Sequence, residues 1–167
     1  EGGRFYFIEI NARVQVEHPV SEMLVGRDLV AEQIRVAAGE KLGTTQRQLK
    51  LHGHAIECRI NAEDPERNFM PSTGKLHVRS TPTGHGVRWD SAVYSGMTVS
   101  PFYDSLLGKL IAWGPTREHA RRRMLTALRR LELDGIATTR KLCQEIVNHQ
   151  AFAERTHTTG LIESLLG

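Results

Sequence analysis

From Ile8 the chain sets apolar and polar residues in alternation. Ile8, Ile10, Ala12, Val14 and Val16 take one set of places, and Glu9, Asn11, Arg13, Gln15 and Glu17 take the other. Successive strand side chains point to opposite faces of a sheet. Aromatic and β-branched content predicts a strand over residues 4–10. Extended through Glu17, that strand carries one apolar face. Its other face is a row of carboxylate, amide, guanidinium, amide and carboxylate.

The pattern then turns helical. Asp28 reads as an N-cap with Glu32 in the first turn, and Val30, Ile34, Ala37 and Ala38 recur at helical spacing before Gly39. Residues 40–51 read as a polar connection. Alternation returns over His54–Ala62: Ile56, Cys58 and Ile60 face one way, Glu57, Arg59 and Asn61 the other. Pro65, Pro71 and Gly74 break the chain into a loop, and short strands are predicted near 75–79, 86–89 and 106–113. The last is apolar on nearly both faces, so it should lie deep. Thr116 should cap a helix whose Ala120, Met124, Ala127, Leu128 and Leu131 form an inward stripe. Further helices are predicted at about 138–148 and 160–166. Strands first and helices last imply an α+β fold, an antiparallel sheet with C-terminal helices.

Composition narrows the function classes. The 167 residues are 40% hydrophobic and 25% charged, with a formal charge of +3. That is ordinary for a globular protein and too mild for a dedicated nucleic-acid or membrane-surface binder. The eight histidines show no metal-ligand spacing, and two cysteines are too few for a disulfide framework. They read as reduced thiols of a cytosolic protein. No apolar run approaches the roughly 20 residues that span a bilayer, and no signal peptide is visible. The chain opens on Glu1-Gly2-Gly3 without a methionine, which reads as a cut at a turn within a larger protein. The arginines at 117, 121, 122, 129 and 130 are most simply a solvated helix face, since no aromatic stacking platform accompanies them.

The opening row has chemistry in it. Carboxylate and amide oxygens from Glu9 and Asn11 suit Mg²⁺. Arg13 presents a planar fork matched to a small oxyanion. Glu17, kept ionised by Arg13 nearby, suits a general base. A solvated strand face would alternate in the same way, and spacing alone leaves the two readings open. The face does lack the Lys, Thr and Ser usual on such a surface.

Longer blocks carry a resemblance. FYFIEINARVQVEHPVSEM resembles the end of the ATP-grasp domain of biotin carboxylase. HAIECRINAEDP resembles the opening of that family's C-terminal domain, and GVRWDSAVYSG and PFYDSLLGKLIAWG match later blocks in order. The resemblance implies residues 1–45 as the end of an ATP-grasp domain, contributing its last strand and helix. It implies residues 50–167 as the biotin carboxylase C-terminal domain.

It also implies a reaction. ATP and bicarbonate form carboxyphosphate, which yields CO₂ for N1 of biotin. Glu9 and Asn11 would serve Mg²⁺ (or Mn²⁺) and ATP. Arg13, Gln15 and the Val16 backbone would bind bicarbonate, Glu17 would take its proton, and Arg59 would stabilise the biotin enolate. Arg88 falls at a family dimer contact, although a surface arginine on a strand edge fits almost as well. Asp104 reads as a turn residue rather than a catalyst.

The family's N-terminal domain and glycine-rich lid do not occur in these 167 residues, so the rest of the carboxylase is an expected partner. A biotin carboxyl carrier protein or domain is a second, because no biotin-attachment sequence appears. A homodimer of the parent is a third; nucleic acid and membrane are not expected. Thr158-Thr159-Gly160 departs from an apolar position near the adenine. The RINAEDP string looks closest to the acetyl-CoA carboxylase type of fatty-acid synthesis, with pyruvate or acyl-CoA carboxylases as alternatives. A non-catalytic dimerisation or carrier-docking module is the competing class.

Overall fold

The computed structural model of the chain describes residues 5–167. The expected turn at Glu1-Gly2-Gly3 and the first residue of the expected strand, Arg4, lie outside the described residues.

Two helices lead, α1 (His18–Val25) and α2 (Leu29–Ala37). Strands follow as β1 (His54–Asn61), β2 (Glu63–Asp64), β3 (Met70–Pro71), β4 (Gly74–Lys75), β5 (His77–Ser80), β6 (Val87–Ser91), β7 (Thr98–Val99) and β8 (Leu106–Gly114). The chain closes with α3 (Arg117–Arg130), β9 (Glu132–Asp134), α4 (Arg140–Asn148), α5 (Gln150–Glu154) and α6 (Leu161–Leu166). The α+β class expected from the pattern is the one found.

The central layer is a three-stranded antiparallel sheet in the order β1-β8-β6. β8 is its middle strand, as its two apolar faces require. Helix α3 packs on one face through Ala120, Met124, Ala127 and Leu128, with Leu131 just past its end, all buried with Ile60, Leu110 and Ala112. Thr116 caps α3 by accepting from His119 N at 3.3 Å. Helix α1 crosses the opposite face, against β1 and β8. That face is the polar one, and the cross-strand register sets Arg59 beside Lys109 and Lys109 beside Asp90.

The basic side of α3 is largely engaged within the chain. Arg117 donates to Ala153 O at 3.0 Å, Arg121 to Val147 O at 3.2 Å, and Arg122 to Glu118 at 2.7 Å. Asp104 accepts from Leu106 N at 2.8 Å, which is the expected turn role.

The opening strand is the departure. Residues 5–12 form no regular element. Phe5, Tyr6, Phe7, Ile8 and Ile10 are at least three-quarters exposed. A strand is held by hydrogen bonds to a neighbour, and none of the described strands pairs with this segment. The alternation also stops before Glu17. Gln15 O accepts from His18 N at 3.2 Å, turning the chain into α1, with Pro19 in its first turn and Gly26 in the left-handed region past its end. Pro just inside and Gly just beyond are ordinary helix punctuation, which the stronger alternating signal masks.

Candidate functional site

The polar face of β1 and the turn before α1 meet. Arg59, from β1, donates to Oε1 of Glu17, which lies 42 residues earlier. Sequence alternation puts both residues on polar faces but cannot pair them. Both side chains are about half exposed, so the pair contributes at most about 1 kcal/mol. It is an exchangeable contact, not a latch. Glu17 is held below the usual carboxylate range, first by its own backbone N–H and, against an opposing desolvation, by Arg59 and Lys109. It is therefore ionised and able to accept a proton at neutral pH.

The backbone of Arg59 is braced from beyond the open edge of β1. Its carbonyl accepts from Thr139 Oγ1 at 3.2 Å and from Cys143 Sγ at 3.6 Å. Cys58 and Cys143 are free thiols, as expected.

Arg13, Gln15 and Glu17 are among the residues that line an open groove of about 440 Å³, with His18, Val20 and Leu29. The structure thus brings three of the five polar row residues together, through a turn instead of a strand face. Glu9 and Asn11 stand apart from this groove. Asn11 Nδ2 donates to Glu9 Oε1 at 3.2 Å, and both side chains are exposed. Together they present carboxylate and amide oxygens, the hard donors that Mg²⁺ takes. Two such donors fit a metal shared with substrate phosphates. Among the described residues, no group of three or more His, Cys, Asp or Glu could hold a metal by itself.

Arg88 is engaged inside the chain. Its Nε and Nη2 each reach Asp90 at 2.7 Å, and its Nη1 reaches Glu22 Oε2 at 2.7 Å. Glu22 is buried and also accepts from Leu29 N at 2.7 Å. This arrangement fastens α1 to β6. Removing one partner of a buried pair strands the other charge, so the fastening is firmer than the Glu17–Arg59 contact.

Two residues gain weight that the sequence pattern does not give them. Lys109, the one charged residue of β8, donates to Val16 O at 3.1 Å and lies 3.8 Å from Asp90. A lone lysine in an otherwise apolar strand is the available signal. Glu57 reads from the alternation as company for Arg59, yet both its oxygens are buried without a hydrogen-bond partner. Burial pushes its carboxyl up to about 7, despite the attraction of Lys109.

The Glu57 pKa gives a prediction. Folded Glu57 holds its proton up to about pH 7, whereas in the unfolded chain it loses it near the ordinary 4.5. The folded state binds more protons, so stability falls as pH rises across that window. Glu57→Gln is expected to match wild type near pH 4 and to be the more stable protein at pH 8. Urea unfolding of both proteins at the two pH values measures this. A constant difference between them would mean that Glu57 does not titrate in the window.

The family described as "Biotin carboxylase C-terminal domain" matches residues 57–164. "Carbamoyl-phosphate synthase L chain, ATP binding domain" matches residues 1–45. The chain is 52% identical over 167 residues to a biotin carboxylase of Pseudomonas aeruginosa, covering 100% of this chain and 37% of that protein. It is 50% identical over 150 residues to a pyruvate carboxylase subunit of Methanothermobacter thermautotrophicus, covering 90% of this chain and 30% of that protein. Among solved structures it is similar to the biotin carboxylase domain dimer of Hydrogenobacter thermophilus 2-oxoglutarate carboxylase, in complex with MgADP, ADP and bicarbonate. The TM-score is 0.95 at 46% identity, over 98% of this chain and 36% of that one. The chain therefore spans little more than a third of the length of the first curated relatives it matches.

Proposed function

The chain belongs to the biotin carboxylase family, and from that premise we propose that it is the part of an ATP-dependent biotin carboxylase that activates bicarbonate and meets biotin. Residues 1–45 end the ATP-grasp unit and residues 50–167 form the C-terminal unit. Arg13, Gln15 and the Val16 backbone bind bicarbonate in the groove, and Glu17 removes its proton. Arg59 stabilises the negative charge that develops on biotin. Glu9 and Asn11 hold Mg²⁺ (or Mn²⁺) with the phosphates of ATP, the metal supplying charge neutralisation at those phosphates.

The observation that carries this reading is the Glu17–Arg59 contact. A proton acceptor and a cation from distant parts of the chain meet beside an open groove. The cation is held loosely enough to exchange partners. A docking or dimerisation module has no use for that arrangement.

Biotin arrives on a carrier protein or domain, and the full-length parent is a cytoplasmic homodimer in which Arg88 lies near the contact. The final acceptor is acetyl-CoA, in fatty-acid synthesis. The RINAEDP string supports that choice over pyruvate, while a biotin carboxylase and a pyruvate carboxylase subunit are about equally similar to the chain. The acceptor is met only after biotin is carboxylated, so the chemistry of this chain is common to all of them.

Full-length parent enzyme given Mg²⁺–ATP, labelled bicarbonate and free biotin is expected to form labelled carboxybiotin. The 167-residue chain alone is expected to fold through residues 50–167 but to form none. It is also expected to show no micromolar heat on calorimetric titration with Mg²⁺–ATP, because two exposed donors are only part of a nucleotide site. Micromolar affinity would show that this piece suffices for the nucleotide and that the lid expected upstream is dispensable.

A further inference from the structure

We propose that Lys109 is a positioning residue for bicarbonate activation, holding the Val16–Glu17 peptide in place when Arg59 leaves Glu17. The proposal rests on the roles given above to Glu17 and Arg59.

Lys109 sits in the middle strand of the sheet with a side chain only 12% exposed. An ammonium so placed is costly unless its donors are used. It has Asp90 at 3.8 Å and one close hydrogen bond, to Val16 O at 3.1 Å. Asp90 has no need of the lysine, since both its oxygens already receive Arg88 at 2.7 Å. The close bond of Lys109 is therefore the one to the turn.

Val16 C=O and Glu17 N–H belong to one planar peptide unit. Fixing the carbonyl fixes the direction of the N–H and the start of the Glu17 side chain. That same N–H is the largest influence holding Glu17 ionised. The turn has a second anchor on its helix side, where Gln15 O accepts from His18 N at 3.2 Å and lies 2.8 Å from His18 Nδ1. On the sheet side it is held by Arg59 and Lys109, neighbours across β1 and β8.

These two cations cannot share one duty. An arginine that meets biotin must let go of Glu17, and its half-exposed contact allows that. Lys109 bonds to backbone and is mostly buried, and its role asks no change of partner of it. It keeps the base-bearing turn on the sheet throughout.

The test uses the full-length carboxylase with free biotin, with bicarbonate and ATP varied separately. Displacement of a reacting group by about 1 Å typically costs about a hundredfold. Lys109→Met is expected to lose about tenfold to a hundredfold in kcat/KM for bicarbonate, with the KM for ATP within about twofold of wild type. Lys109→Arg, which keeps a charged donor, is expected to recover most of that loss.

Wild-type bicarbonate kinetics in Lys109→Met would overturn the proposal. If Glu17→Gln were inactive in the same assay, the wider reading of the site would stand. Wild-type behaviour of Glu17→Gln as well would overturn both. Equal losses toward ATP and bicarbonate, or no recovery with Lys109→Arg, would make Lys109 merely structural and end the proposal. Should Lys109→Met not fold, Lys109→Gln, a neutral donor, takes its place in the assay. Failure of both to fold would also count against a positioning role.

Discussion

Glu17→Gln in the full-length carboxylase is expected to lose most bicarbonate-dependent ATP cleavage, by about 10²–10⁴-fold, the usual range for a lost general base. The amide keeps the shape of the side chain and can still accept from Arg59, so the turn and α1 should be undisturbed. What it cannot do is take a proton. Glu17 lines the same groove as Arg13 and Gln15, and its carboxyl is held ionised. Circular dichroism and unfolding temperature should match wild type, while ATP cleavage loses its response to bicarbonate. Turnover within about threefold of wild type would be too small a change for a general base and would remove Glu17 from that role.

Arg59→Ala is expected to raise the barrier to biotin carboxylation by about 3–4 kcal/mol, as for loss of a preorganised donor at a developing charge. ATP affinity should hardly change. The Arg59 guanidinium lies against Glu17, while Glu9 and Asn11 pair with each other. The fold should also persist, because an exposed ion pair contributes at most about 1 kcal/mol. The backbone of Arg59 also keeps its braces from Thr139 and Cys143, which do not depend on its side chain. Nucleotide affinity and carboxylation rate, measured on one preparation, decide the matter. Equal losses in both would mean that Arg59 mainly holds the turn to the sheet.

Local periodicity makes much of this chain legible. The inward stripe of α3, its Thr116 cap and the deep strand β8 follow from side-chain spacing and composition, signals that survive because each element meets its own complementary layer. Asp28 caps α2 as read, accepting from Ala31 N at 2.8 Å. The opening segment shows the limit. Alternation is a demand for two different environments, and it makes a strand only where a neighbour supplies hydrogen bonds. Phe5 to Ile10 find none among the described strands. Two helices also escape the pattern. Helix α1 is hidden by the alternating row that runs into it, and α5 is only five residues long.

The site is legible as a set of residue types and illegible as a set of contacts. Glu17 and Arg59 each stand out on a polar face, but nothing in residue spacing joins positions 42 apart. Lys109 is hidden by its neighbours. In an apolar strand it counts against the hydrophobic pattern and not toward a polar one. Only the register of β1 on β8, which puts it beside Arg59, reveals what it serves.

The loose contact between Glu17 and Arg59 also makes the two halves of the site answer to each other. Any ligand that draws the guanidinium away removes one of the influences that keep Glu17 acidic, and so makes Glu17 a stronger proton acceptor. Conversely, protonating Glu17 releases Arg59. These are one coupling free energy viewed from two sides, and linkage requires them to be equal. Because the pair is solvated, that coupling is bounded at about 1 kcal/mol, roughly fivefold in affinity. A proton on Glu17 and a ligand of Arg59 therefore favour one another, by a modest and reciprocal margin, without any movement of the sheet.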